Sequence, residues 1–214
     1  MPPASTRTAW RAAALELADR HPVAAGLLER HGAPRLRPGA RPADRFEALA
    51  SSIAYQQLAG NAARAIWARV LDTVGAPFTP ERVLLAGDDA LRAAGLSNAK
   101  VAALTDLAAR TASGEVRLDR IGRMDDQSVI DHLTVVRGIG PWTAQMFLLF
   151  ELRRLDVWPT GDFGVRAGFG RAFGLPEAPT EREMPALGEP FAPYRSVIAW
   201  WCWREVDTPS QFSA

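Results

Sequence analysis

Residues 133–173 read LTVVRGIGPWTAQMFLLFELRRLDVWPTGDFGVRAGFGRAF. The stretch reads as helix, tight turn, helix, then a loop broken by proline and glycine that ends on a carboxylate at the mouth of another helix. The turn is Arg137-Gly138-Ile139-Gly140. Two glycines around one apolar residue allow positive φ and leave the N–H groups facing outward with no side chain over them. Pro141 suits the first helical turn, where its missing donor costs nothing. Outward N–H groups at a helix start make an anion site, and nucleic-acid phosphate is the anion that suits it. Further on, Asp162 stands where it caps the helix beginning Phe163-Gly164-Val165-Arg166.

Outward from this block the chain is punctuated helix. Asp125 or Asp126 caps the helix entering the turn, and Ser97 caps one running through Lys100, Leu104 and Leu107 to Ala112. Lys100, near that start, reads as a solvated or phosphate-facing residue. Thr79-Pro80-Glu81 opens another helix, and Asp88 starts a further one that Gly95 closes. Asp44 begins a helix through Phe46 to Tyr55, which breaks at residues 56–61 and restarts from Ala62 to Val74. Residues 6–20 and 23–31 repeat apolar positions at helical spacing, residues 32–41 form a Pro/Gly/Arg linker, and residues 1–4 are expected to lack order. Residues 176–193 read as connecting chain. YRSVIAWWCWR, 194–204, is the last strong helix. Its three tryptophans cannot share one helix face, so at least one is expected to point to a cleft or interface.

Composition bounds the class. The 214 residues are 48% hydrophobic and 23% charged, an ordinary globule, and alanine-rich helical spacing with few β-branched runs favours an all-α fold. Net charge is +1, so any contact with nucleic acid must come from local geometry and placed arginines. Lys100 is the only lysine, which nearly empties the list of amine nucleophiles. Cys202 is the only cysteine, too few for a disulfide or a four-cysteine cluster, and reads as a buried thiol. His21, His31 and His132 are scattered without metal spacing, and His132 reads as an exposed helix residue. With no signal-peptide h-region and no apolar run of bilayer length, no membrane partner and a cytoplasmic site of work on the bacterial nucleoid are expected.

The hairpin, the following Thr143-Ala144, the aspartate and its flanks together resemble the helix-hairpin-helix (HhH-GPD) DNA glycosylases. The wording VRGIGPWTA…DVWP…D…VR is most similar to the 3-methyladenine DNA glycosylase II (AlkA-like) group. The resemblance covers roughly residues 46–204. It implies a two-lobed all-α fold without the extra N-terminal β domain, with the hairpin and Asp162 at a cleft. The linear division is an N-terminal helical arm and linker at 1–44, a glycosylase domain at 45–205 holding the hairpin (133–147) and catalytic loop (156–166), and a tail at 206–214.

The same resemblance assigns roles. Asp162 is the catalytic carboxylate. Trp142, Met146, Phe163 and Trp203 match positions facing the base; Gln57 matches the wedge that fills the gap left by an extruded base, with Leu58 as the apolar alternative. Arg137, Gly138, Ile139, Gly140 and Thr143 match the phosphate grip. The carbonyls of Thr134, Val136 and Ile139 match a site for Na+ or K+ bridging to DNA; no other cofactor is implied. The partner is double-stranded DNA containing damaged bases, and the protein is expected to be a monomer. Two positions depart from the pattern: Gly161 replaces a second acid, and Trp142 stands where strand-cutting members carry a lysine.

This chemistry suits the residue types. Cleavage of a base–deoxyribose bond passes through an oxocarbenium-like state that a nearby carboxylate stabilises while orienting water. Alkylated purines such as 3-methyladenine and 7-methylguanine are electron-poor and often cationic, and aromatic faces attract them. Tryptophan forms no Schiff base, so a monofunctional hydrolase leaving an abasic site is expected. The alternatives are a non-catalytic DNA-structure-binding protein and a glycosylase for ethenoadenine, hypoxanthine or a mismatch.

Overall fold

The computed structural model describes residues 6–58 and 60–206. Among them every regular element is helical, as expected. Residues 1–4 and the tail from 207 onward lie outside the described residues. Contacts divide the chain differently from the linear 1–44/45–205 division. Residues up to 39 fold with those from 148 onward as a terminal unit, and residues 40–147 form a central unit.

In the terminal unit, helices α1 (Thr6–Arg20) and α2 (Pro22–His31) pack on each other and on α11 (Arg195–Glu205). Trp10 is fully buried and its indole N–H donates to Arg153 O at 3.3 Å. Trp201 donates to Gly32 O at 2.9 Å. The N-terminal helices are therefore built into the core. Every residue from Ser196 to Trp203 is buried, so α11 is enclosed all round. That resolves the three tryptophans: Trp201 faces the α2 end, Trp200 lies 5.2 Å under the Arg204 guanidinium, and Trp203 faces α9 (Phe163–Ala172). None needs an opening. Burial also pushes the Cys202 thiol well up from its ordinary range. Residues 176–193 are more than connecting chain, since they form α10 (Met184–Gly188) and a 3-10 turn, with Trp158 Nε1 donating to Met184 O at 2.7 Å.

Glu205 closes this unit. Its Oε1 meets Arg30 Nε at 2.9 Å and His31 Nε2 at 2.6 Å. Burial pushes its carboxyl up, but the hydrogen bonds from His31 and Arg30 outweigh this and hold it below the ordinary value. A lowered carboxylate adds stability above its ordinary pKa of about 4.3 and loses it as pH falls through the lowered value. Glu205→Gln is therefore expected to melt below wild type at pH 7, with the gap narrowing below about pH 4; melting curves between pH 3 and 7 check this.

The central unit holds α3 (Arg45–Tyr55), α4 (Gly60–Val74), α5 (Pro80–Ala93), α6 (Asn98–Ala112), α7 (Asp126–Thr134) and most of α8 (Pro141–Phe150). Its starts follow local chemistry: Thr79 accepts from Arg82 N, Ser97 from Lys100 N, and Asp125, rather than Asp126, from Ser128 N. Gly87, at φ 78°, breaks α5 just before Asp88. Leu49, Ile53, Leu104, Leu107 and Leu133 fill the interior, with Phe78 stacked on Phe46 and tilted against Trp67. Two residues differ from the sequence reading. His132 is half-buried and its Nε2 accepts from Arg117 N at 2.7 Å, which ties α7 to the chain leaving α6. Lys100 is half-buried rather than simply solvated: its Nζ donates to Ala54 O at 2.7 Å, and partial burial lowers its pKa. Among the described residues no helix is long and apolar enough to cross a membrane.

Candidate functional site

The hairpin is built from the end of α7. Val136 N donates to Leu133 O and Ile139 N to Val136 O, each at 3.1 Å, and Ala144 N to Gly140 O begins α8. Of the two glycines only Gly138 takes positive φ, 76°. A Cβ there would lie 3.1 Å from Ala103 Cβ, so glycine also lets the turn sit on α6. Gly140 differs in its role: a Cβ there would meet nothing within 4 Å, which leaves its backbone open to close approach. Asp106 fixes the turn by accepting from Arg137 N at 2.8 Å while holding Arg110 through both oxygens. The Arg137 side chain is exposed, whereas Val136 and Ile139 are buried anchors.

Thr143 is turned inward by its side chain. Its hydroxyl is buried and lies 3.4 Å from Gln56 Nε2. What it can offer a phosphate is its backbone N–H in the first turn of α8, where helix geometry leaves donors without intrahelical acceptors. Thr134, Val136 and Ile139 fit a hard monovalent cation in donor type, as backbone oxygens only. Val136 O already accepts from Ile139 N, which leaves one lone pair. Among the described residues no group of three His, Cys, Asp or Glu could hold a metal.

The two glutamines after α3 separate. Gln56 turns inward and donates to Gly138 O at 3.1 Å, binding this loop to the hairpin. Gln57 is exposed and sits at φ 55°, a left-handed backbone that costs glutamine on the order of 1 kcal/mol. Leu58 is half-buried. Lys100 on Ala54 O closes the C-terminal end of α3 just before them. In this unit Trp142 is 39% exposed, while Met146 is buried because α8 is apolar on nearly every side.

The loop carrying Asp162 belongs to the terminal unit and is pinned at several points. Asp156 receives Arg195 Nε at 2.8 Å and its terminal nitrogen at 2.7 Å. The buried Ser196 hydroxyl accepts from Val157 N and donates to Arg154 O, both at 2.8 Å. Asp162 N donates to Pro159 O at 3.0 Å. The carboxylate itself is half-buried, and Oδ1 accepts from Val165 N at 2.8 Å and from Trp203 Nε1 at 2.9 Å. It therefore caps α9 and stays accessible. Gly164 makes this possible, since a Cβ there would lie 2.9 Å from Trp203 Cδ1 and 3.2 Å from Asp162 Oδ1.

Trp203 is buried, stacked on Phe150 at 5.6 Å, and uses its indole edge to orient Asp162. Phe163 is 69% exposed with the Arg166 guanidinium 5.6 Å over its ring. Gly161 sits beside Glu181, whose Oε1 would be 3.2 Å from a Cβ at 161. An acid at 161 would meet a carboxylate already there. Asp106, Gln56, Asp156, Ser196, Arg195 and Glu181 all act on the candidate residues or their loops, and the sequence reading gives none of them a role. Only Asp156, inside DVWP, and Gln56, beside the wedge, lie in stretches that the motif marks.

Residues 50–193 match the family model of the HhH-GPD superfamily base excision DNA repair protein. The chain belongs to this superfamily. It is 35% identical over 162 residues to DNA-3-methyladenine glycosylase 1 of Schizosaccharomyces pombe, covering 74% of this chain and 71% of that one. Among solved structures, the S. pombe 3-methyladenine DNA glycosylase in complex with abasic DNA superposes with a TM-score of 0.81 at 29% identity, over 95% of this chain and all of the other. A DNA-3-methyladenine glycosidase from Bacillus halodurans gives a TM-score of 0.79 at 34% identity, over 90% and 87% of the two chains. The HhH-GPD match takes in Gln57, the hairpin and Asp162, and the structural likeness extends beyond it at both ends.

Proposed function

We propose that this HhH-GPD protein is a monofunctional DNA glycosylase that extrudes alkylated purines of the 3-methyladenine and 7-methylguanine class and hydrolyses their N-glycosidic bond, leaving an abasic site. The observation that carries the reading is the Asp162 carboxylate: accessible, at the positive end of α9, and oriented by two N–H donors on a pinned loop. Such a group stabilises the sugar cation as the base departs and directs water to it. Trp142 and Phe163 are exposed aromatic rings of the kind that attract an electron-poor base, while Met146 and Trp203 are buried within their own units. Gln57 or Leu58 fills the stack, the Gly138–Gly140 turn holds phosphate, and Thr134, Val136 and Ile139 carbonyls take a monovalent cation when DNA is bound. A monomer working in the cytoplasm suffices for this chemistry.

The relatives' names support alkylated bases as the substrate class. The one lysine of the chain is engaged with Ala54 O, and Trp142 occupies the hairpin position that would carry an amine, so a hydrolase without lyase activity follows. Methylated DNA incubated with the protein is expected to release free 3-methyladenine or 7-methylguanine, with strand breaks appearing only after alkali or heat. An adduct trapped by borohydride, or binding without base release, would overturn the proposal.

A further inference from the structure

A basic groove of about 430 Å3 lies on the first two helices of the terminal unit, within the size range of ligand-binding clefts. Arg7 and Arg11 of α1 and Arg35 beyond α2 line it, over apolar contributions from Leu15, Leu28 and Pro34. No carboxylate lines it, and among the described residues no ion pair engages any of the three arginines. Some arginines elsewhere in the fold are held by carboxylates, Arg195 by Asp156 and Arg30 by Glu205.

The arrangement is unfavourable for the isolated protein. Arg7 and Arg11 are like charges one helical turn apart, and they sit toward the positive end of α1, whose first turn holds no acid. An anion in the groove relieves all of these repulsions together. Guanidinium groups match phosphate oxygens in shape as well as charge, and a concave wall strengthens the field they make. None of the lining residues belongs to the hairpin or to the loop carrying Asp162.

We infer that Arg7, Arg11 and Arg35 form a second DNA-backbone contact, apart from the hairpin, that holds duplex phosphates. The inference rests on the reading of the chain as a DNA-acting protein. It explains how a chain of net charge +1 gains affinity for a polyanion through local placement.

The test is fluorescence-anisotropy binding of undamaged duplex DNA across a salt series, with full-length wild type, the triple variant R7A/R11A/R35A, and R7K/R11K/R35K. Three lost phosphate contacts lower the slope of log K against log salt by about 2.7, so between 50 and 200 mM salt the wild type loses roughly 40-fold more affinity than the alanine variant. The lysine variant is expected to keep the wild-type slope, because charge is retained. An unchanged slope in the alanine variant overturns the inference, as does an equal loss in the lysine variant, which would mark a disturbed fold instead of a lost charge. Base release is not the readout. A wild type that releases no base yet shows this slope difference refutes the glycosylase reading and leaves the groove standing; one that releases base without the slope difference does the reverse.

Discussion

Asp162→Asn is expected to slow base release by roughly 10²- to 10³-fold, the scale on which single electrostatic contributors to a transition state act, while leaving the fold and lesion binding close to wild type. The substitution isolates the charge. An asparagine oxygen can still accept from Val165 N and Trp203 Nε1, the two donors that fix Oδ1, so the cap on α9 and the orientation of the indole survive. What is lost is the negative charge that the proposed mechanism sets against the sugar as positive charge develops. The size of the effect should depend on the lesion. A cationic base such as 7-methylguanine leaves with little help, whereas a neutral one needs more stabilisation of the sugar, so the loss should be larger for hypoxanthine than for 7-methylguanine. Single-turnover rates on the two substrates, with an abasic-site analogue to measure binding, check both statements. Equal rates for wild type and variant would remove Asp162 from catalysis, and unchanged binding with no rate in either protein would favour a DNA-structure-binding role.

The residues that were legible in the sequence are those whose work is local. Caps at Thr79, Ser97 and Asp162 act on backbone groups three residues away, so spacing places them, and it narrows the cap of α7 to Asp125 or its neighbour Asp126. Gly138 is read the same way, because a tight turn demands its φ. The motif around the hairpin then carried the family. Residues whose work depends on distant partners were not legible. Nothing near Lys100 says that it will donate to Ala54 O, and nothing near Asp106 says that it will hold Arg137 N. The α11 tryptophans show the same limit from the other side: their spacing requires different faces, but whether a face meets solvent or another helix depends on α1, α2 and α9. Gly140 shows how one motif hides two roles: its value lies in open space above the backbone and not in positive φ.

The second large effect is expected at Gly168, where Gly168→Ala should destabilise the terminal unit by about 3 kcal/mol or more, at or above the upper end of ordinary overpacking. An ideal Cβ at 168 would lie 1.9 Å from Cys202 O and 2.6 Å from Cys202 Cα. These are backbone atoms in the middle of α11, enclosed on every side, so no side chain can rotate to make room. The helices must part instead. Parting α9 from α11 separates Asp162 on one from Trp203 on the other, and their 2.9 Å bond is the link that orients the carboxylate. Gly168→Ala is therefore expected to lower both the melting temperature and the base-release rate, although residue 168 touches no reacting group. Gly174→Ala serves as the comparison: its Cβ would meet nothing within 4 Å, and the cost of its positive φ, 63°, falls beyond the end of α9. It should lose about 1 kcal/mol of stability and keep its rate. Thermal unfolding with single-turnover assays on the folded fraction of each variant decides the matter. If Gly168→Ala melts like wild type, the close approach of α9 to α11 is not what holds Asp162 in place.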